Sequence, residues 1–85
     1  LLLVDFYAEW CQPCPKMKPY LDEIATDLKD KVIVIRINAD ENRKLCEENG
    51  ITALPVLQLY KDKDLIWSNI GYIDKEAILS HLKGR

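Results

Sequence analysis

The sequence predicts an α/β fold: a mixed central sheet flanked by helices, with its elements in the order βαβαββα. Three observations carry that expectation. Two β-prone apolar runs, residues 1–8 and 32–37, are each followed by a helical pattern, the arrangement of parallel strands joined by right-handed crossovers. Two shorter strand-like runs, residues 56–60 and 65–70, lie on either side of a polar link and read as an antiparallel hairpin. A last amphipathic stretch then ends the pattern as a helix.

The first run is apolar except at Asp5 and Tyr7, which suits a strand buried on both faces. From Met17 onward, apolar residues recur at Met17, Tyr20, Leu21, Ile24, Ala25 and Leu28, at helical offsets of three and four. Lys16, Lys18, Asp22, Glu23, Asp27 and Lys29 take the opposite face. Pro19 falls inside this helix and predicts a kink, at a cost of roughly 3 kcal/mol unless the packing accommodates it. Residues 32–37 are β-branched and too apolar for a strand with only one covered face. Asp40 is placed to cap a short helix running to about Glu48, with Asn49-Gly50 as its stop. Residues 51–55 form a loop ending in Leu54-Pro55. Gly71 breaks the last strand, Asp74 caps the final helix, and Ile78, Leu79 and Leu82 give that helix its buried face.

Eighty-five residues suit one domain near the small end of what folds without cross-links, so residues 1–85 are read as a single domain. The chain opens on Leu1-Leu2-Leu3-Val4, already inside a strand, which gives the expectation of N-terminal truncation from a longer protein. A hydrophobic share of 48% is ample for a core. The net charge of -2 argues against nucleic acid as partner, because phosphate binding wants a basic face. No apolar run approaches the roughly 20 residues that span a bilayer, so no membrane role is expected. With no basic-plus-apolar leader in view, a cytoplasmic monomer is expected, a periplasmic or other exported location being left open by the missing N-terminus.

Three cysteines are an odd number, which suits reactive thiols better than a secreted disulfide scaffold. Cys11-Gln12-Pro13-Cys14 stands where the first strand gives way to the first helix, and a C-x-x-C pair at such a junction reads as a redox pair. On the first helical turn, Cys11 would have unpaired backbone N–H groups and the positive end of the helix dipole beside it, both favouring the nucleophilic thiolate. Cys14, three residues on, faces the same side and can reach the Cys11 sulfur to expel a bound substrate. Pro13 lies too early in the helix to cost an intrahelical bond. The competing reading is half of a zinc site, but only Cys46 and His81 remain to complete four ligands, on separate predicted helices. No metal is expected.

The run Asp5-Phe6-Tyr7-Ala8-Glu9-Trp10-Cys11-Gln12-Pro13-Cys14 resembles the signature of the thioredoxin family around its redox pair. The resemblance continues through Pro19, Asn38-Ala39-Asp40, Gly50-Ile51, Leu54-Pro55 and Gly71, and so covers nearly the whole chain in the family's order. It implies a thioredoxin-like fold whose usual first strand and helix precede Leu1, leaving the strand at 32–37 without an edge partner. It implies a protein-disulfide reductase working in electron transport and cell redox homeostasis, with Cys11 as nucleophile and Cys14 as resolving thiol. No cofactor is implied beyond the redox-active Cys11–Cys14 disulfide. The substrates would be protein disulfides, and the electron donor a flavin-dependent enzyme of the thioredoxin-reductase kind.

The resemblance also gives meaning to residues away from the cysteines. Asp5 sits alone in a buried strand, where burial should raise its pKa; it matches the acid that exchanges protons with Cys14, against the alternative of a strand-end Asp reaching water. Arg36 matches a position often held by lysine near that acid, against the alternative of an arginine extending to solvent. Leu54-Pro55 matches the family's cis-proline loop facing the thiols, although an X-Pro bond by itself predicts trans. Trp10, Gln12, Pro13, Leu54, Pro55, Ile70 and Gly71, with Tyr72, would line a groove for unfolded or loop-like protein segments. Cys46 is expected as a small core filler, with a regulatory thiol as the alternative.

Two residues depart from the family's pattern. Thioredoxins usually carry Gly-Pro between the cysteines and Lys after them, where this chain has Gln12-Pro13 and then Pro15. Pro15 brings no positive charge and no N–H for the Cys11 carbonyl, while Lys16 and Lys18 supply charge nearby. Two rival functions follow: a disulfide oxidase or isomerase in an oxidising compartment, and a binding module whose cysteines are vestigial.

Overall fold

A computed structural model describes residues 1–83. It contains β1 (Leu2–Tyr7), α1 (Cys14–Asp27), β2 (Ile33–Asn38), α2 (Arg43–Glu48), β3 (Val56–Lys61), β4 (Asp64–Ile70) and α3 (Lys75–Leu82), in the predicted order. The strands form one sheet in the order β2-β1-β3-β4. β1 runs parallel to β2 and antiparallel to β3, so the strand that leads into the cysteines is interior. Register places Asp5 beside Arg36 on one side and Leu57 on the other.

Alternation along the strands divides the core into two layers. Leu3, Leu57 and Leu59 meet Met17, Leu21 and Ile24 of α1 and Ile78 of α3 on one face. Val4, Phe6 and Val56 meet Cys46 of α2 on the other. The β3–β4 hairpin closes on Asp62-Lys63, both at positive φ (52° and 76°), the backbone that matches a two-residue turn to strand twist. The Asp74 carboxylate accepts from the Ala77 N–H at 2.9 Å, capping α3 as expected.

Three local expectations need correction. β2 is not covered on both faces: Ile33 and Ile35 are 63% and 42% exposed, because β2 is an edge strand and the six-residue α2 is too short to shield its length. Asp40 does not cap α2, which begins at Arg43 behind Asn42 with no side-chain cap. α1 begins at Cys14, so Cys11 lies in the turn before the helix and not on its first turn. The helix continues through Pro19. The carbonyl that Pro19 leaves without a donor belongs to Pro15, which is exposed and open to water, and that lowers the cost of the missing bond.

Candidate active site

β1 delivers the chain to the site, and two tight turns shape it. The Cys11 N–H donates to the Ala8 carbonyl at 3.2 Å, and the Cys14 N–H donates to the Cys11 carbonyl at 3.3 Å. Cys11 and Cys14 form a disulfide with 5.5 Å between their Cα atoms. Both are buried, at 3% and 2% exposure, against Ala8, Tyr7 and Leu54. The Cys11 carbonyl thus takes its hydrogen bond from Cys14, and the N–H that Pro15 lacks is not missed there. Pro13 and Pro15 have no N–H to offer, and the Lys16 N–H is committed to the Pro13 carbonyl at 3.1 Å. Lys18 pairs with Asp22 at 2.9 Å on the exposed face of α1.

Asp5 lies on the face of β1 that α1 covers, since it shares the alternation of Leu3. It is 1% exposed, and of the two readings of Arg36 the structure shows the one beside the acid: Arg36 Nε donates to Asp5 Oδ2 at 3.0 Å. Oδ1 is buried with no hydrogen-bond partner. Loss of hydration pushes the Asp5 pKa up, and the hydrogen bond and charge of Arg36 oppose part of that rise. The Arg36 guanidinium carbon lies 4.1 Å from the centre of the Tyr7 ring. Arg36 therefore rests on the acid and on an aromatic face, with only part of its length in water.

Trp10 is 66% exposed and anchored by its indole N–H, which donates to the Asp40 carboxylate at 2.9 Å. Trp10, Leu54, Ile51 and Cys46 line a shallow cleft beside the disulfide, with Arg43 and Glu47 at its rim. Burial, and then the charge of Asp40, push the Cys46 thiol pKa up, which favours an inert core thiol over a reactive one.

Leu54-Pro55 is cis, and Leu54 packs on the disulfide. The Gly71 N–H donates to the Pro55 carbonyl at 2.7 Å, which joins the residue after β4 to this loop. Ile70 and Tyr72 on either side of Gly71 are exposed. Gln12 is exposed between the cysteines and Pro13 is half-buried. Of the predicted groove residues, Gln12 and Pro13 lie between the cysteines, Leu54 packs against them, and Pro55 is joined to Gly71, while Trp10 and Leu54 share the shallow cleft. One contributor was not singled out from sequence: the Tyr20 hydroxyl donates to the Ile73 carbonyl, tying α1 to residues 71–73. Burial and then the neighbouring Tyr72 push its pKa up. A tyrosine at a helix's buried positions signals packing, and nothing local reveals an acceptor 53 residues away.

Gly71 has φ +97°, and a Cβ built there meets nothing within 4 Å. Gly71→Ala is therefore expected to lose about 1–2 kcal/mol from backbone strain alone. Urea unfolding checks this, and an unchanged midpoint would show that the turn relaxes without cost.

The zinc alternative finds no support in the geometry. His81 of α3 stacks on Trp67 of β4 at 4.2 Å, and Cys46 belongs to α2 on the other face of the sheet. Among the described residues no group of three His, Cys, Asp or Glu side chains is placed to hold a metal ion. No helix is long and apolar enough to cross a membrane among the described residues.

Comparison with known proteins matches this site to one family. The thioredoxin family model matches residues 1–84. The thioredoxin of Rickettsia prowazekii is 42% identical over 78 residues, which is 92% of this chain and 74% of that protein. The thioredoxin of Rhodospirillum rubrum is 44% identical over 75 residues, covering 88% and 72% of the two chains. Among solved structures, a mutant thioredoxin from Halobacterium salinarum superposes with a TM-score of 0.89 at 30% identity, over 96% of this chain and 71% of that one. A malarial protein superposes at 0.91 over 96% and 92% of the two chains, but at 20% identity it speaks only for the fold. A family match over nearly the whole length, together with a Cys11–Cys14 disulfide on a thioredoxin-like sheet, means that the chain belongs to the thioredoxin family and is a thiol–disulfide oxidoreductase.

Proposed function

We propose that the chain, as a single domain spanning residues 1–85, reduces protein disulfides through Cys11 as nucleophile, Cys14 as resolving thiol and Asp5 as proton acceptor. The Cys11 thiolate attacks one sulfur of a substrate disulfide, forming a mixed disulfide and releasing the first substrate thiolate. Cys14 gives its proton to Asp5 and attacks the Cys11 sulfur, releasing the second thiolate and closing the Cys11–Cys14 disulfide. Two electrons pass to the substrate. The observation that carries the reading is the disulfide packed at the end of β1, on which Asp5 holds one unpartnered carboxylate oxygen. An acid whose proton affinity is raised by burial suits proton exchange with a thiol near neutral pH.

The direction of flux draws support from the helix start. Strong oxidants stabilise their reduced form, and the N–H groups of Cys14 and Lys16 are already committed while Pro13 and Pro15 have none. Few donors remain to stabilise a Cys11 thiolate, which favours the reductase over the oxidase or isomerase. The family implies protein substrates and usually a reductase partner. Here the exposed Trp10, Ile70 and Tyr72 suit extended segments of other proteins, and a flavin-dependent enzyme is the proposed donor. The proposed setting is the cytoplasm, with the protein acting as a monomer and engaging neither nucleic acid nor membrane.

The test is capture in cells. Cys14→Ser should accumulate protein partners covalently on Cys11, released by reductant, and the absence of such adducts overturns the reading. The redox potential of the pair separates the rivals: a strongly oxidising value favours the oxidase or isomerase, and no turnover with fresh reductant favours the binding module.

A further inference from the structure

We propose that Tyr7 is a positioning residue whose ring holds the Arg36 guanidinium against Asp5, and that this clamp sets the pH range in which Asp5 accepts a proton. The inference rests on the role given to Asp5 above and adds to it the residue that fixes the acid's cationic neighbour.

Register and alternation make the clamp. Asp5 and Tyr7 are two apart on β1 and share a face, and Arg36 sits beside Asp5 on the parallel strand β2. From there its side chain reaches both: Nε donates to Asp5 Oδ2 at 3.0 Å, and the guanidinium carbon stands 4.1 Å from the Tyr7 ring centre. That distance is within cation–π range, and arginine is suited to bonding through its edge while stacking through its face. The side chain of Arg36 is 22% exposed, so without the ring it has water as a competing partner. Tyr7 also packs against the cluster that Ala8 forms with the two cysteines.

The surroundings of Asp5 leave the cation a large share of the control. β2 presents Arg36, and β3 presents the non-ionisable Leu57. α1 presents Tyr20, whose hydroxyl is turned to the Ile73 carbonyl, and the cysteine pair lies at its head. On β1 itself the neighbour is Tyr7. A fixed cation lowers the proton affinity of a carboxylate. Loosening the clamp must therefore move the Asp5 titration to higher pH.

The experiment follows the Asp5 carboxyl carbon by NMR across pH in the oxidised protein, where the cysteines do not titrate. Tyr7→Leu is expected to move the midpoint upward, in the same direction as Arg36→Gln, and Tyr7→Phe to leave it in place. In the Arg36→Gln background, Tyr7→Leu should add nothing. An unmoved midpoint in Tyr7→Leu, or an equal shift without Arg36, overturns the proposal. Should Tyr7→Leu fail to fold, the wild-type protein decides, because nuclear Overhauser contacts must join the Arg36 side chain to the Tyr7 ring protons and their absence overturns the clamp. A midpoint that moves while the pH profile of disulfide reduction stays still supports the clamp and removes Asp5 from the chemistry, so the two readings fail separately.

Discussion

Cys11→Ser is expected to reduce turnover to the uncatalysed background and to form no adduct, whereas Cys14→Ser performs the first exchange and stops there. The asymmetry follows from the two positions. Both sulfurs are packed beneath Leu54 and Tyr7, but Cys14 opens α1 and Cys11 precedes it in the turn below Trp10. Without Cys11 the first attack loses its assigned nucleophile, since a serine hydroxyl is weak without a base to activate it. Without Cys14 the mixed disulfide has no internal resolving group. Each variant, reduced and then freed of reductant, is mixed with a protein disulfide and run on non-reducing gels for adducts, which separates the two. An adduct formed through Cys14 in Cys11→Ser would reverse the assignment. Neither loss should be one of folding: the bond closes a loop with a sequence separation of only 3, and its chain-entropy contribution is about 2 kcal/mol, a modest part of a domain's stability.

Asp5→Asn is expected to stabilise the protein at pH 8, because the amide carries no charge to bury, and to change little near pH 3. Burial raises the folded-state pKa of Asp5 above its ordinary value of 3.8. Between the unfolded and folded values the folded chain binds more protons, so wild-type stability declines as pH rises through that window and then levels off. The asparagine variant has no such decline. Arg36, partly in water, can hydrate when its partner's charge is removed, which limits the loss from breaking the pair. The same substitution should slow disulfide reduction near neutral pH, because an amide cannot take the Cys14 proton. Urea unfolding at the two pH values and reduction rates across pH test both halves. A variant less stable than wild type at pH 8 overturns the first, and an unchanged rate overturns the second.

The parts of this molecule that depend on local pattern were legible in the sequence, and those that depend on register were not. The strand–helix order follows from hydrophobic periodicity, and the end of α2 at Glu48 and the Asp74 cap follow from short-range chemistry. The cysteine pair is a four-residue motif and needs no tertiary information. Arg36 on Asp5 and Trp10 on Asp40 are contacts 31 and 30 residues apart, so either arginine or aspartate could equally have faced water until the strands were aligned. The exposure of Ile33 and Ile35 was hidden for the opposite reason. An apolar run does not say how much of each face is covered, and only the short span of α2 leaves Ile33 and Ile35 open.

That order has a consequence for fluctuations. Opening motions in a folded protein begin where backbone pairing is least shared, and β1 and β3 are paired on both sides while β4 is paired on one. The thiols follow directly on the end of an interior strand. Fraying of the β4 edge is therefore expected to leave β1 paired and the turn that carries the disulfide in place.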